Sequence, residues 1–452
     1  MTNSPLIKVL VPAGALGIPY DKTALAKGLE AKPDLIAIDG GSTDSGPYYL
    51  GTGTSKYSRT ATKADWAVLM AARAQADVPL LIGTAGTCGA DSAVDWMLDI
   101  TLEIARETGE TLKIATLKSG QDKDQIITAF EAGQITPLEG APDIDTALFE
   151  QATNIVALAG AEQIQAALAT GADIIIAGRA TDTAVIAALP LARGCHKGAA
   201  WHGAKIAECG ALATTNPNSG VILMSFDETG FTVTPLADDA AATPYTVSAH
   251  MLYENADPYI LHEPGGYLDV RKARYTAVEE RSVRVEGSLW QDTSPYTVKL
   301  EAAKRAGFQT VSLVLVRDAH YSAHIHEWVE ALHKSFARKA QQNGLANTAL
   351  DLRVIGRNAT LGPLETASTE GGEVAVLAIF TSPDQSSANE AAKLLNPDLL
   401  HLPLTLHEPM PTFAFPFSPP ETDKGPVYEF CLHHILKLDT PLAAFRLDVT
   451  ES

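Results

Sequence analysis

Short apolar segments alternate with longer segments of helical periodicity through the first half of the chain. The apolar segments are rich in Val, Ile and Leu and are bounded by turn residues, which is typical of buried strands; they span residues 7–11, 34–38, 79–82, 113–116, 154–158 and 173–177. Between them, apolar residues recur with the helical period at 61–75, 93–108 and 162–170. This alternation predicts an α/β fold with a doubly wound, mostly parallel sheet covered by helices on both faces.

The pattern changes after about residue 215. Two strand-like segments at 221–226 and 231–236 flank residues 227–230 in the manner of a hairpin. Further strand-like segments at 282–287, 296–300, 309–316, 352–355 and 373–381 are interspersed with amphipathic helices near 323–341 and 387–395. We therefore predict two domains, an α/β domain at 1–215 and an α+β domain at 216–452 that contributes to the same cleft.

The charge of the chain limits its partners. Its 452 residues include 34 Lys and Arg against 54 Asp and Glu, which gives a formal net charge of −20. Because such a protein repels phosphate backbones and anionic membranes, we expect neither nucleic acid nor membrane as a partner. The four cysteines form no CxxC pair, and we recognise no secretion signal or membrane span, so we expect a cytoplasmic protein.

Polar loops follow several of the predicted parallel strands, where open α/β sheets bind their ligands. These loops are residues 13–21, 39–60, 83–91 and 178–183. In the second loop, Asp39 directly follows an apolar strand. The Ser and Thr hydroxyls of this loop can donate to a carboxylate or phosphate. The alternative is a Ser- and Asp-rich turn that satisfies its own backbone.

The next two loops offer further groups for an anion. The loop at 83–91 precedes a helix, so its backbone N–H groups are predicted to bind an anion, and Cys88 is either a nucleophile or a small packed residue. Arg179 follows another strand and is either a clamp for a carboxylate or phosphate or the partner of Asp182 in a helix cap. As a clamp, Arg179 would concentrate positive potential in one pocket of an acidic protein.

Histidines in the rest of the chain supply candidate acids and bases. His202 lies in a predicted helix and is either an acid/base group or a buried structural residue. His262 and Glu263 lie in an irregular, glycine-rich segment suited to a proton shuttle. His320, His324 and His326 have a spacing that permits a metal site, but no nearby carboxylate completes a zinc motif and the segment is typical of the start of a solvated amphipathic helix, so we predict no metal site.

Four segments resemble the acyclic terpene utilisation proteins of the AtuA type. They are GADIIIAGRATD at 171–182, AECG at 207–210, EPGG at 263–266 and VIGRNATLGPL at 354–364, so the resemblance covers most of the chain. It implies a place in the catabolism of branched acids and acyclic terpenes, often as coenzyme A esters. It does not define the reaction.

We predict a cofactor-independent lyase or isomerase, most directly a hydratase or dehydratase of a small hydroxylated or unsaturated carboxylic acid or its coenzyme A ester. No dinucleotide, Walker A, serine-hydrolase or zinc-protease motif is present, so we predict no cofactor. The predicted catalytic residues are Asp39, Asp44, His262, Tyr49 and His202. The predicted substrate-binding residues are Ser42, Thr43, Ser45, Thr84, Gly86, Thr87, Cys88, Arg179, Asp182 and Glu263.

An alternative from another class is a non-catalytic binding or assembly subunit of an acyl-CoA pathway enzyme. The Pro- and Phe-rich arm at 407–420 would then be an interface instead of core packing. For either function we expect a homo-oligomer.

Overall fold

The computed structural model describes residues 6–357, 360–364, 366 and 372–452. Residues 1–5 lie outside the described residues, as do Asn358 and Ala359 of the VIGRNATLGPL segment.

The strands are β1 Ile7–Val11, β2 Leu35–Asp39, β3 Leu80–Gly83, β4 Lys113–Lys118, β5 Ile135–Pro137, β6 Ala152–Ala157, β7 Ile174–Ala177, β8 Ile222–Phe226, β9 Gly230–Pro235, β10 Ile260–Glu263, β11 Gly266–Asp269, β12 Arg274–Ala277, β13 Val283–Glu286, β14 Leu289–Asp292, β15 Tyr296–Val316, β16 Ala349–Ile355, β17 Val374–Ser382, β18 Glu421–Leu438 and β19 Arg446–Glu451.

The α-helices begin and end as follows. They are α1 Lys22–Glu30, α2 Pro47–Thr52, α3 Arg59–Ala76, α4 Asp91–Thr108, α5 Lys123–Glu131, α6 Thr146–Gln151, α7 Ala161–Ala169, α8 Asp182–Ala192, α9 Lys197–Ala207, α10 Pro244–Ala249, α11 Ala319–Ala323, α12 Ile325–Gln342 and α13 Gln385–His401. Within the described residues, no helix is both long and apolar enough to span a lipid bilayer.

A ten-stranded sheet dominates the first part of the chain, in the order β12-β13-β9-β8-β1-β2-β3-β7-β4-β19. Its central strands β1, β2, β3, β7 and β4 pair in parallel, and the strands on both sides of them pair antiparallel. This confirms the predicted α/β fold with a mostly parallel sheet. One predicted strand, at 154–158, is an exception: it forms β6, which pairs antiparallel with β15 outside this sheet.

Both faces of the parallel strands are buried because helices cover each of them. On β1, Val9 packs into the core beneath α7, α8 and α9, whereas the next residue, Leu10, packs into the core beneath α1, α3 and α4. Successive side chains of a strand point to opposite faces, so a strand buried on both must be apolar throughout. This requirement explains the continuous apolar segments from which the strands were predicted.

The chain forms two compact units, residues 1–304 with 430–452 and residues 305–429. Residues 216–304 therefore lie in the same unit as 1–215, because β8 pairs with β1 and extends the large sheet. This division differs from the predicted boundary at residue 215. The hairpin signal identified β8 and β9 correctly but carried no information about the strand they pair with.

The second unit has the α+β character predicted for the later part of the chain. β17 lies between β16 and the later residues of β15, with antiparallel pairing on both sides. One face of these strands packs against α12 and α13. In the arm at 407–420, Phe413 packs against Tyr321 and Trp328 with ring centroids 5.1 Å apart in each pair, while Met410 and Phe417 are exposed.

Candidate functional site

A cleft of about 710 Å³ lies at the carboxyl ends of β1, β2 and β7, in the first unit. It is lined by the loops after β1, β2 and β3, by the start of α8 and by residues following α9. The loops are those that the strand pattern singled out. The charged residues of its lining are Asp39, Asp44, Lys56, Asp182, Glu208 and Glu254.

Asp39 is the last residue of β2 and is 7% exposed. Its Oδ2 accepts a hydrogen bond of 2.8 Å from the backbone N–H of Gly41, while Oδ1 is buried without a hydrogen-bond partner among the described residues. Burial, and then the charge of Asp182, raise the pKa of Asp39 well above its usual range; the amides of Gly40 and Gly41 and the charge of Arg179 oppose the shift. Asp39 is therefore a carboxyl group that favours its protonated form.

Asp182 is the first residue of α8, directly after Thr181, whose side chain caps the helix. Burial raises the pKa of Asp182, as do the charges of Glu254 and Asp44, whereas Arg179 and Lys205 lower it. Asp39 and Asp182 are thus two acidic groups that line one cleft and resist simultaneous ionisation. The sequence predicted both, although it assigned Asp182 to substrate binding.

Arg179 does not project a free charge into the cleft. Its Nε donates to Glu301 Oε2 at 2.9 Å, and its Nη1 donates to the Thr84 hydroxyl at 3.4 Å. Glu301 also accepts from Lys299 at 3.0 Å and from Thr43 at 3.4 Å. Burial opposes ionisation of Glu301, but Arg179 and Lys299 hold its pKa at about 2. The roles predicted for Arg179 as an anion clamp and as the partner of Asp182 in a helix cap are both replaced by a buried ion pair with Glu301.

A second buried ion pair, Lys205 with Glu208, lies at the end of α9, and Glu208 lines the cleft. Burial raises the pKa of Glu208, and Lys205 opposes the shift. With five carboxyl groups and Lys56 as the charged lining of the described cleft, the site is acidic. The predicted concentration of positive potential is therefore wrong for this cleft, because the buried cations beside it are committed to carboxylates.

Hydroxyl groups and one lysine line the opening on the side of the β2 loop. Ser42 caps a short 3₁₀ helix by accepting from the Asp44 N–H at 3.0 Å, and both residues line the cleft. Lys56 is exposed and donates to the Ser45 hydroxyl at 3.0 Å. Thr43, although predicted with them, is absent from the lining and contacts Glu301 instead.

The loop at 83–91 folds onto its neighbours instead of presenting its backbone to an anion. The N–H groups of Thr84, Thr87 and Gly89 all donate to backbone carbonyls. A side chain at Gly89, where φ is +63°, would place its Cβ 2.2 Å from the backbone nitrogen of Arg179, so only glycine permits this approach. These three N–H groups are therefore not available to the predicted anion site.

Of the side chains predicted in this loop, Thr87 lines the cleft. Thr84, Gly86 and Cys88 are buried away from it. Cys88 packs in a small apolar cluster, and burial raises the pKa of its thiol, which opposes the thiolate form that a nucleophile needs. The packed-residue alternative fits Cys88.

Two predicted catalytic residues lie outside the cleft. Tyr49 packs, partly buried, against the same apolar cluster as Cys88. His202 is fully buried in α9: its Nδ1 is 2.7 Å from the Ser288 hydroxyl, its Nε2 is 3.2 Å from the Tyr275 hydroxyl, and burial lowers its pKa to about 3. A neutral ring with both nitrogens engaged fits the structural alternative for His202.

His262 and Glu263 line a different cavity, of about 260 Å³ and also in the first unit, which we call the second cavity. His262 is exposed on β10. Glu263 Oε1 accepts from the hydroxyl of Thr183, and its Oε2 is buried without a hydrogen-bond partner in the described part of the chain. Burial raises the pKa of Glu263 to about 7, and the neighbouring hydroxyls of Thr183 and Thr181 oppose the shift.

The three histidines considered as metal ligands lie in the second unit. His320 Nε2 is 3.3 Å from Glu408, and His324 Nδ1 is 2.9 Å from the backbone oxygen of His320. Across residues 6–357, 360–364, 366 and 372–452, no group of three or more His, Cys, Asp or Glu side chains is arranged to hold a metal ion.

Four charged residues of the site region were missed or left unassigned by the sequence analysis. Glu301 and Lys205 are buried partners of other charges, and Glu254 and Lys56 line the cleft. A signal existed for Glu301, a carboxylate in the otherwise apolar segment 300–303, because a charge there requires a buried partner. Nothing local identifies that partner as Arg179.

Comparison with known proteins gives one match. The model of the family described as acyclic terpene utilisation family protein AtuA matches residues 54–412. No curated protein and no solved structure matches the chain.

Proposed function

The chain belongs to the acyclic terpene utilisation family AtuA, a family named for a catabolic process, and we propose that it is a lyase or isomerase that acts by proton transfer in the cleft. The single observation that carries this proposal is the pair Asp39 and Asp182. Both carboxyl groups line the same cleft, and both have a raised pKa. A pair of this kind retains one proton where isolated carboxyl groups would both be ionised.

One protonated and one ionised carboxyl group are what the addition or removal of water requires. In dehydration, the ionised group removes a proton from the carbon next to the substrate carboxyl, and the protonated group donates its proton to the departing hydroxyl. A carbon–carbon double bond and a water molecule form, and the pair again holds one proton with the roles exchanged. Hydration is the reverse, and a double-bond shift uses the same two groups without loss of water.

The lining of the cleft supports a small hydroxylated or unsaturated carboxylic acid as substrate. Lys56 and the hydroxyls of Ser42 and Ser45 offer contacts to its carboxylate. Ile18 and Leu212, 46% and 36% exposed, supply apolar contacts for its carbon chain. In a coenzyme A thioester of the same acid the acyl group is neutral and only the coenzyme portion is anionic, so both forms belong in any test.

Proton exchange at the carbon next to the carboxyl tests the proposal without knowledge of the product. Hydroxy and unsaturated acids, free and as coenzyme A thioesters, are incubated with the protein in heavy water, and deuterium incorporation is followed by NMR. We expect exchange with at least one compound, reduced about a hundred-fold or more by Asp39→Asn and by Asp182→Asn. Asp143→Asn, the same change at an exposed position, is the matched control and retains the wild-type rate.

Full exchange in both cleft variants would contradict the assignment of these roles. Absence of exchange with every compound would favour the assembly subunit instead. In the arm at 407–420, that alternative has the exposed Met410 and Phe417, whereas Phe413 is core packing. The cleft provides a more specific chemical arrangement than these two side chains, so we place the proton-transfer function first.

A further inference from the structure

We propose that the second cavity is a binding site for a small hydroxycarboxylate, separate from the cleft. The inference does not depend on the proposed function, because it rests on different residues. Thr181 lines the second cavity, and the next residue, Asp182, lines the cleft. The start of α8 is therefore a wall with a different cavity on each side.

The first support is the carboxyl group of Glu263. Oε1 is held by Thr183, but Oε2 is buried and has no hydrogen-bond partner among the described residues. A buried acceptor without a partner costs free energy, and native proteins usually satisfy such groups with water or a ligand. A ligand hydroxyl in the second cavity supplies the missing donor.

The second support is Lys299, which lines the same cavity with its side chain 34% exposed. An ammonium group has three donors. The hydrogen bond that the structure gives its Nζ goes to Glu301 at 3.0 Å, and Glu301 is also neutralised by Arg179. Lys299 can therefore bind a ligand carboxylate without breaking the buried pair.

The remaining lining fits the same class of ligand. Three threonines, Thr181, Thr293 and Thr297, provide hydroxyls that donate or accept, and Leu158 and Ile435 provide apolar contacts. A cavity of about 260 Å³ is smaller than the pockets that hold drug-sized molecules. The nearby charge of Lys299 repels an ammonium group, so the donor to Glu263 is a hydroxyl.

Three probes with related carbon skeletons distinguish the hydroxyl contact to Glu263 from the carboxylate contact to Lys299. 3-Hydroxybutyrate has both groups, butyrate has only the carboxylate, and 2-butanol has only the hydroxyl. Saturation-transfer NMR titrations of the full chain measure their affinities. We expect 3-hydroxybutyrate to bind at least about ten-fold more tightly than either partial probe, because butyrate leaves the buried Glu263 oxygen without a donor and 2-butanol lacks the ion pair with Lys299.

Substitutions locate the binding. Glu263→Gln keeps the shape of the side chain and the acceptor for Thr183, and we expect it to lower the affinity for 3-hydroxybutyrate by at least about ten-fold. Thr297→Val removes one lining hydroxyl and should lower the affinity less. Glu280→Gln, the same change as the first at an exposed position, leaves this affinity within about two-fold.

Two results would overturn the inference. One is equal affinity of 3-hydroxybutyrate for the wild type and Glu263→Gln. The other is loss of binding in Lys56→Met with none in Glu263→Gln, which places the ligand in the cleft and agrees with the proposed function. The proposed function is tested separately, and unchanged deuterium exchange in both Asp39→Asn and Asp182→Asn would contradict it.

Discussion

Two groups of buried charges lie side by side at the carboxyl edge of the sheet and have opposite character. In the pair Arg179 and Glu301, opposite charges are joined by hydrogen bonds, and the pKa of Glu301 is held at about 2. In the pair Asp39 and Asp182, burial and then neighbouring carboxyl groups raise the pKa of each member, and Asp39 keeps an oxygen without a partner in the described structure. The first pair supports the fold, whereas the second is maintained at a cost in stability, which is typical of functional groups.

Breaking the opposite-charge pair should give the largest effect. Arg179→Met leaves Glu301 buried with only Lys299 as a cationic partner, and we expect it to lower the free energy of unfolding by about 3–5 kcal/mol. Urea unfolding measures the change. Arg193→Met, the same substitution at an exposed position, is the control; a loss as small as that of the control would remove the distinction between the two pairs.

Removing one charge of the like-charge pair should have the opposite effect on the free energy of unfolding, because it should stabilise the protein. A raised carboxyl pKa means that the folded state binds its proton more tightly than the unfolded chain, so stability falls as pH rises above the unfolded value of 3.8. We expect Asp39→Asn to be more stable than the wild type at pH 8 by about 1–2 kcal/mol, with a smaller difference at pH 5. Urea unfolding at both pH values tests this, and destabilisation at pH 8 would contradict it.

The stability that the two pairs contribute should change in opposite directions as the pH falls. The lowered pKa of Glu301 contributes stability that is fully present above its unfolded value of 4.5 and is lost as pH falls toward about 2. We expect the difference in stability between wild type and Glu301→Gln to shrink by about 2 kcal/mol from pH 5 to pH 3. A difference that is constant across this range would show that the carboxylate is not the source of stabilisation.

The smallest effect is expected at His262, which is exposed and lines the second cavity instead of the cleft. His262→Ala should change the free energy of unfolding by less than about 0.5 kcal/mol. Deuterium exchange on the substrate should stay within about two-fold of the wild-type rate. A loss comparable to that of Asp39→Asn would extend the reacting groups beyond the cleft.

The sequence located the cleft better than it assigned roles within it. Apolar strands followed by polar loops placed Asp39 and Asp182 at one edge of the sheet because the carboxyl ends of parallel strands meet there. Local patterns could not reveal that Arg179 pairs with Glu301, which lies 122 residues away in the chain. The same limit applies to His262, whose surroundings depend on how β10 packs.

The loop at 83–91 shows a second kind of limit. Its glycines were correctly identified as sites of unusual backbone conformation, since Gly86 and Gly89 have positive φ. That freedom serves close packing of one loop against another, and the N–H groups of Thr84, Thr87 and Gly89 donate to backbone carbonyls. Glycine-rich composition alone does not distinguish a ligand cradle from a tightly packed turn.

The most direct test of the account is the protonation state of the cleft pair. Carbon-13 labelling of aspartate carboxyl groups allows Asp39 and Asp182 to be followed by NMR during a pH titration, with Asp39→Asn and Asp182→Asn used for assignment. We predict that the pair still holds a proton at pH 5, where an ordinary aspartate is ionised, and that Asp182→Asn lowers the pKa of Asp39. Two carboxylates that are both fully ionised at pH 5 would contradict the proposal that this pair supplies an acid and a base to the reaction.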